Sequence, residues 1–297
     1  MAKGLSLHVG LNRVDPSQYG GWDGQLAGCH NDAFAMQKIA VERGFDVAVL
    51  LDGEATAARV LGEIDRMATA LKPGDIFFVT YSGHGGQVPD TNGDEPDGLD
   101  ETWVLYDRQL IDDELYAAWG RFRSGVRIAI LSDSCHSGSV SRAMLRSEHA
   151  RALFAESGDA GALRSRAMPA EAQAKDIERR GVLYERLQSN HPAGDQVSVG
   201  ASALLVSGCQ DNQTSADGAV NGLFTEKLLR VWALNNGHFP RGYRQLWKGI
   251  QAMMPAVQTP QFSVVGLQSP AFEAEDPFSI VSAANVASGS SSLTRAV

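Results

Sequence analysis

An α/β domain built on a mostly parallel sheet with helices on both faces is the fold class the sequence predicts. Three observations carry it. Short apolar runs alternate with helix-period segments through the first 135 residues. Two of those runs, Asp75–Tyr81 and Val126–Leu131, are apolar without alternation, as strands buried on both faces are. Turn and cap signals separate the segments at the spacing of strand–helix–strand units.

In order, Leu5–Leu11 reads as a strand, followed by a turn-rich stretch holding Gly20, Gly21 and Gly24. Asn31–Arg43 has Phe34, Met36, Ile39 and Ala40 at helical intervals and Gly44 at the stop position. Val47–Leu51 is a second strand. Thr56 caps a helix to about Leu71, with Val60, Leu61, Ile64 and Met67 on one side and Pro73-Gly74 closing it. After the strand at Asp75–Tyr81 comes an acidic loop, Asp90–Glu101, then an edge strand at Trp103–Tyr106 and a helix from Asp112 to about Phe122. The pattern breaks between Ser139 and Ser202, where no strand is expected; a connection of that length is functional or disordered. Glu171–Leu187 reads as helical, interrupted at Arg179-Arg180-Gly181. Strand and helix signals resume at Ala203–Val206, Phe224–Leu234, Tyr243–Met254 and Gln261–Val265. Residues 1–281 are read as one domain with an insert at about 139–202, and 282–297 as an unfolded Ser/Gly/Ala-rich tail.

Composition narrows the function. The chain has 297 residues, 43% hydrophobic and 21% charged, enough for a sizeable core. A formal charge of −9 argues against a nucleic-acid binder. No apolar run reaches the ~18 residues of a membrane span, and the first residues lack a secretory segment, so a cytoplasmic location is expected. Three cysteines, Cys29, Cys135 and Cys209, in no zinc spacing, imply reduced thiols and no disulfide framework.

Chemistry in open parallel sheets gathers past the carboxyl ends of the strands. The strand ending at Tyr81 leads into Ser82-Gly83-His84-Gly85-Gly86, and the one ending at Leu131 into Ser132-Asp133-Ser134-Cys135-His136. A cysteine and a histidine at one rim suit acyl transfer, with Cys135 as nucleophile and His84 as base. The N–H groups of Gly85 and Cys135 are the candidate oxyanion donors. Taken singly, Cys135 also reads as a small buried hydrophobe and His84 as a turn residue. No GxSxG elbow supports a serine hydrolase.

Tyr81-Ser82-Gly83-His84-Gly85 and Asp133-Ser134-Cys135-His136-Ser137-Gly138 resemble the two signature motifs of the metacaspases, a branch of the caspase-like cysteine peptidases. The resemblance extends to Leu26–Ala33, Asp94–Glu101, Ile111–Leu115, Ser207–Ser215, Asn221–Thr225 and Thr259-Pro260-Gln261, and leaves out only the insert and the tail. It implies a caspase–haemoglobinase fold with a six-stranded sheet, a His84/Cys135 dyad, and cleavage after arginine or lysine. The basic side chain would enter an acidic pocket at Asp32, with Cys29 beside it, Asp133 and Asp211. Asp32 also reads as a first-turn acid complementing a helix dipole. Arginine pairs bidentately with carboxylates, which favours it over lysine.

The resemblance further implies calcium as an activator, not a participant in the chemistry: Asp100, Asp112 and Asp113 match three of its ligands, with Glu101 adjacent. The fourth acid of that pattern is missing, because Ser139-Val140-Ser141-Arg142-Ala143 follows the nucleophile motif. Asp112 and Asp113 also read as helix caps. Caspase-like enzymes are commonly made as zymogens cut in this connection, so Arg142, Arg146, Arg151, Arg164, Arg166, Arg179 and Arg180 are candidate processing points, for the enzyme itself or an upstream protease. Expected partners are proteins or peptides with exposed Arg or Lys, with no nucleic acid or membrane, and the chain is expected to be a monomer. The alternatives are a catalytically silent scaffold that binds basic peptides and a calcium-responsive interaction protein.

Overall fold

The computed structural model describes residues 1–93, 95, 97–134, 164–191, 197–209, 215–218, 220–255 and 258–281. Along them run β1 (Gly4–Gly10), α1 (Cys29–Glu42), β2 (Asp46–Leu51), α2 (Ala57–Ala70), β3 (Ile76–Ser82), β4 (Gly85–Pro89), β5 (Leu99–Val104), β6 (Gln109–Ile111), α3 (Asp112–Trp119) and β7 (Arg127–Asp133). They continue with β8 (Arg164–Ser165), α4 (Ala170–Asn190), β9 (Ser202–Ser207), β10 (Ala216–Asp217), α5 (Leu223–Leu234), α6 (Tyr243–Met253), β11 (Gln261–Gly266) and α7 (Pro270–Ala274).

The central sheet has six strands in the order β11-β9-β7-β3-β1-β2. All its pairings are parallel except β11 with β9. The period-2 geometry of a strand sends neighbouring side chains to opposite faces. Phe77 and Val79 of β3 therefore enter one core, with Val60 and Ile64 of α2 and Leu115 of α3. Ile76 and Phe78 enter the other, with Met36 and Ile39 of α1, Leu228 of α5 and Ile250 of α6. Both faces being covered explains why β3 carries no polar alternation: all seven of its residues are buried. Phe78 stacks on Phe278 at 4.1 Å, tying the chain beyond α7 to the sheet.

Thr56 caps α2 as its sequence suggests, its hydroxyl accepting from the Arg59 N–H at 3.3 Å. Two expectations about the insert are corrected. It contains a strand, β8, pairing antiparallel with β10. Its helix also runs unbroken through Arg179-Arg180-Gly181. The reason is tertiary: Arg180 donates to the Gln18 and Asp107 carbonyls at 2.7 and 2.8 Å and lies over the Tyr19 ring. These contacts outweigh the weak helix propensity of one glycine. A second, three-stranded antiparallel sheet, β4-β5-β6, was legible only at β5. The tail at 282–297 lies outside the described residues.

Candidate active site

Strands β3 and β7 are parallel neighbours with Ser82 opposite Asp133. Their carboxyl ends therefore reach one rim, and the chain leaves it through Gly83-His84 on one side and Ser134 on the other. Cys135, the next residue, and Asp211 lie outside the described residues.

The His84 main chain is fixed first. Its carbonyl accepts from the Val104 N–H at 2.9 Å and lies 2.6 Å from the Tyr81 hydroxyl, whose ring stacks on Trp103 at 4.6 Å. The turn requires glycine at 83, because a Cβ there would stand 2.6 Å from that hydroxyl. The imidazole is buried, with the Trp22 ring edge-on at 4.8 Å. Nε2 is 3.1 Å from the Gly24 carbonyl oxygen. A carbonyl only accepts, so in neutral imidazole Nε2 carries the proton and Nδ1 keeps the lone pair. Nδ1 is buried and has no hydrogen-bond partner among the described residues. Burial pushes the His84 pKa down to about 4, only partly opposed by the Gly24 carbonyl and Asp217. At neutral pH the ring is therefore uncharged.

Beside it lies a socket of buried carboxylates. Asp32, in the first turn of α1, accepts from Asn221 Nδ2 at 2.8 Å, Gly222 N–H at 3.1 Å and Ser82 Oγ at 2.7 Å. Asp133, at the end of β7, accepts from Ser215 Oγ at 2.7 Å and Thr225 Oγ1 at 2.8 Å. Asp217, on β10, accepts from the Ala27 and Gly28 N–H groups at 2.7 and 3.1 Å. These donors hold the carboxylates in position whatever cation enters.

The cation inside is the chain's own Arg166. Its guanidinium, fully buried, lies 2.7 Å from Asp32, 3.0 Å from Asp133 and 2.8 Å from Asp217. It also donates to Ser82 Oγ and the Asp133 carbonyl, both at 2.9 Å. Burial works against its charge, but Asp133, Asp32 and Asp217 outweigh that and raise its pKa. The Asp32 carboxyl is raised by burial and, secondarily, by Asp133, against the pull of Arg166. Gly222 forms a wall: a Cβ there would come within 2.4 Å of the guanidinium.

The main chain around Arg166 is clamped on both sides. Arg166 N–H donates to the Ser215 carbonyl at 3.0 Å, and Ser165 stands opposite Ala216. On the other side the Gly85 N–H donates to the Arg166 carbonyl oxygen at 2.8 Å, and Met168 N–H donates to the Gly85 carbonyl at 2.7 Å. The insert thus lies in the rim as an added strand, a common mode of peptide recognition.

Of the sequence-predicted residues, the rim gathers His84, Gly85, Asp32, Asp133 and Arg166. Cys29 is buried behind them; burial raises its thiol pKa, and the nearby charge of Arg166 opposes that rise. Arg164 lies at the surface and donates to the Gln25 carbonyl. Arg179 and Arg180 lie on α4, tied to the Ser17 and Gln18 carbonyls. Arg142, Arg146 and Arg151 fall outside the described residues. Sequence reasoning missed Asp217, which sits just past the Ser207–Ser215 motif. It also missed Trp22 and the Gly24 carbonyl, which the glycine-rich stretch alone signals.

A second acidic group lies where the loop meets α3. Carboxylate oxygens of Glu95, Glu101 and Asp112 lie within 4.8 Å of one another. Burial, then Asp100, Glu101, Asp113 and Glu95, push Asp112 up to about 9. Asp113 accepts from Asn92 Nδ2 at 2.7 Å, and Asp100 is buried. Oxygen donors in this number suit a hard divalent cation. Neither acid is the cap: the N-cap of α3 is Ile111, without a side-chain cap bond, and Asp112 and Asp113 are first-turn acids, Asp112 accepting from the Asp113 N–H at 3.0 Å.

A mostly parallel six-stranded sheet of this order, with its histidine and acids at the central rim, defines the caspase–haemoglobinase class of α/β domains. Residues 14–275 match the Caspase domain profile, and the chain belongs to that family. Metacaspase-1 of Schizosaccharomyces pombe is 30% identical over 298 aligned residues, covering 88% of this chain and 67% of its own length. Metacaspase-1 of Mycosarcoma maydis is 30% identical over 288, covering 88% and 70%. A crystal structure of a Geobacter sulfurreducens protein is similar at 48% identity with a TM-score of 0.81, covering 94% of this chain and 99% of that one. No helix among the described residues is long and apolar enough to cross a membrane.

Proposed function

We propose that the chain is a cysteine endopeptidase that cleaves after arginine, and that it is made as a zymogen whose first substrate is its own Arg166–Ala167 bond. One observation carries this reading. Arg166 fills the acidic socket while its carbonyl oxygen accepts from the Gly85 N–H, the donor expected for the oxyanion. In the reaction His84 Nδ1 takes the Cys135 thiol proton, and the thiolate attacks the carbonyl carbon of the arginine. The tetrahedral intermediate collapses with cleavage of the C–N bond, and the amine leaves with the proton from His84. Water then hydrolyses the thioester, releasing the carboxylate and restoring the thiol.

Arginine is preferred over lysine because the two ends of the fork meet different acids, which a single ammonium cannot reach together. Substrates are proteins or peptides with exposed basic residues, and the working unit is a cytoplasmic monomer. Calcium, bound at Glu95, Glu101 and Asp112 with Asp100 and Asp113 nearby, would neutralise the acidic cluster; the peptide-bond chemistry needs no cofactor.

The test is mass spectrometry of the purified chain beside Cys135→Ala. The expected result is a fragment beginning at Ala167 in the first sample only, followed by hydrolysis of arginine peptides. A wild-type chain that stays whole and inert toward such peptides sinks the reading in favour of a silent scaffold.

A further inference from the structure

The segment held in the rim reports on both sides of its bond, and burial across that bond is uneven. Before it, Arg166 is fully buried, but Arg164 is exposed and Ser165 half-buried. After it, Ala167 is 8% and Met168 1% exposed. Resting on the peptidase reading above, we infer that the site also selects the residues after the cut: a small one directly following the arginine, then a long apolar one.

The wall against Ala167 is Cys209, with which it forms a small buried cluster. Cys209 is itself immobilised, its Sγ 3.2 Å from the carbonyl oxygen of Ser134, the residue just before the nucleophile. On the opposite side the Ala167 backbone is held in a parallel bridge with Gly85. A larger side chain at 167 would press on Cys209 and, through its Sγ contact, on the Ser134 carbonyl at the end of β7. Met168 is anchored by its N–H on the Gly85 carbonyl and joins the apolar core that includes Tyr19, Tyr81 and Ala172. A charge at that position would be buried without a partner, which a core does not tolerate. Cys209 is thereby a specificity-determining residue rather than a spare thiol.

The first measurement is the rate of self-cleavage in the full chain. Ala167→Ser should match wild type within about threefold. Ala167→Leu should slow cleavage roughly 5- to 100-fold, the range set by overpacking a closed wall, and Met168→Asp should slow it at least as much. Because such variants also disturb how the insert docks, a second measurement uses the processed wild-type enzyme on quenched fluorescent peptides. These differ only after the arginine: Ala-Met, Leu-Met and Ala-Asp. kcat/KM should rank Ala-Met first, and Cys209→Ala should raise the Leu-Met to Ala-Met ratio by at least fivefold, on the order of one relieved overpacking. A merely structural role for Cys209 would lower both peptides equally and leave that ratio unmoved, overturning the assignment. Equal kcat/KM for all three peptides, with arginine still required, overturns the inference and leaves the peptidase reading standing. Failure to cut any arginine peptide removes the peptidase reading itself.

Discussion

Replacing Arg166 with alanine tests the link between the socket and its occupant. The substitution removes one guanidinium from three carboxylates at 2.7, 3.0 and 2.8 Å, all buried. Removing one partner of a buried ion pair costs about 3–5 kcal/mol, because the charges left behind have lost their compensation. For a domain of this size each kcal/mol moves Tm by roughly 2–4 °C. Arg166→Ala, in a Cys135→Ala background that cannot process itself, should therefore melt about 6–20 °C lower at pH 7.

The deficit should depend on pH with a definite sign. Burial and Asp133 already raise the Asp32 pKa, and Arg166 opposes them; without Arg166 it rises further. A carboxyl with a raised native pKa favours the folded state most below its unfolded pKa, about 3.9, and progressively less as pH rises through the native value. The gap between variant and parent should thus be widest near neutrality and shrink toward pH 4. Differential scanning calorimetry from pH 4 to 8 measures it. A gap under about 1 kcal/mol, or one that does not narrow at low pH, would mean that Arg166 is not holding the socket.

The remaining expectations concern the same rim and its surroundings. Gly222→Ala, whose Cβ would stand 2.4 Å from the guanidinium, should lower kcat/KM for arginine peptides roughly 10- to 100-fold, the cost of overpacking. In the intact chain self-cleavage should stay level from pH 7 to about 5 and fall to half near pH 4, because His84 titrates at about 4 and must be neutral to accept the thiol proton; quenched-flow gels check this. Millimolar calcium should raise Tm of the Cys135→Ala chain by the equivalent of about 2.7 kcal/mol at one hundred times Kd, an effect lost in Glu101→Gln and Asp112→Asn. After cleavage the two fragments should still co-elute on size exclusion, since α4 stays tied by Asp176 and Tyr184 to Gln109 and by Gln188 to the Pro89 carbonyl.

How far the sequence could be read depended on whether a residue's partners are local. The central strands were visible because β3 and β7 are buried on both faces and so lack alternation, and α2 because Thr56 and Pro73-Gly74 bound it. β4 was hidden, since Gly85-Gly86-Gln87 has no strand propensity; its ladder with β5 is a long-range pairing that begins at Trp103. Asp32 and Asp133 were accessible through motifs. Asp217 was not, because nothing about an isolated aspartate announces that β10 will bring it beside residues 189 and 190 positions earlier. The same holds for Arg166: the seven candidate processing arginines are equivalent by sequence, and only the docking of the segment after β8 into the socket singles one out. The unbroken α4 was misread at Gly181 because local propensity could not anticipate the contacts of Arg180.

The socket also explains why the insert belongs to the fold. Asp32, Asp133 and Asp217 each accept from two or more neutral donors, and a carboxylate in a dry site is costly unless a cation faces it. A chain that selects arginine from other proteins must build this negative cavity, and while folding it must either leave the cavity open to water or fill it. In this structure Arg166 fills it, and on the proposed reading the side chain that neutralises the acids is also the one they would select. On that reading, specificity and latency would be one electrostatic requirement met twice, first by the insert and afterwards by substrate. Arg166→Lys separates the two. It keeps a charge in the cavity but gives up the fork that reaches Asp32 and Asp217 with one nitrogen and Asp133 with the other. Losing one charge-assisted bond, about 1.5–3 kcal/mol, should slow self-cleavage by roughly 10- to 150-fold while leaving Tm closer to wild type than Arg166→Ala does. Equal self-cleavage rates for arginine and lysine would show that charge alone, and not the fork, is what the socket reads.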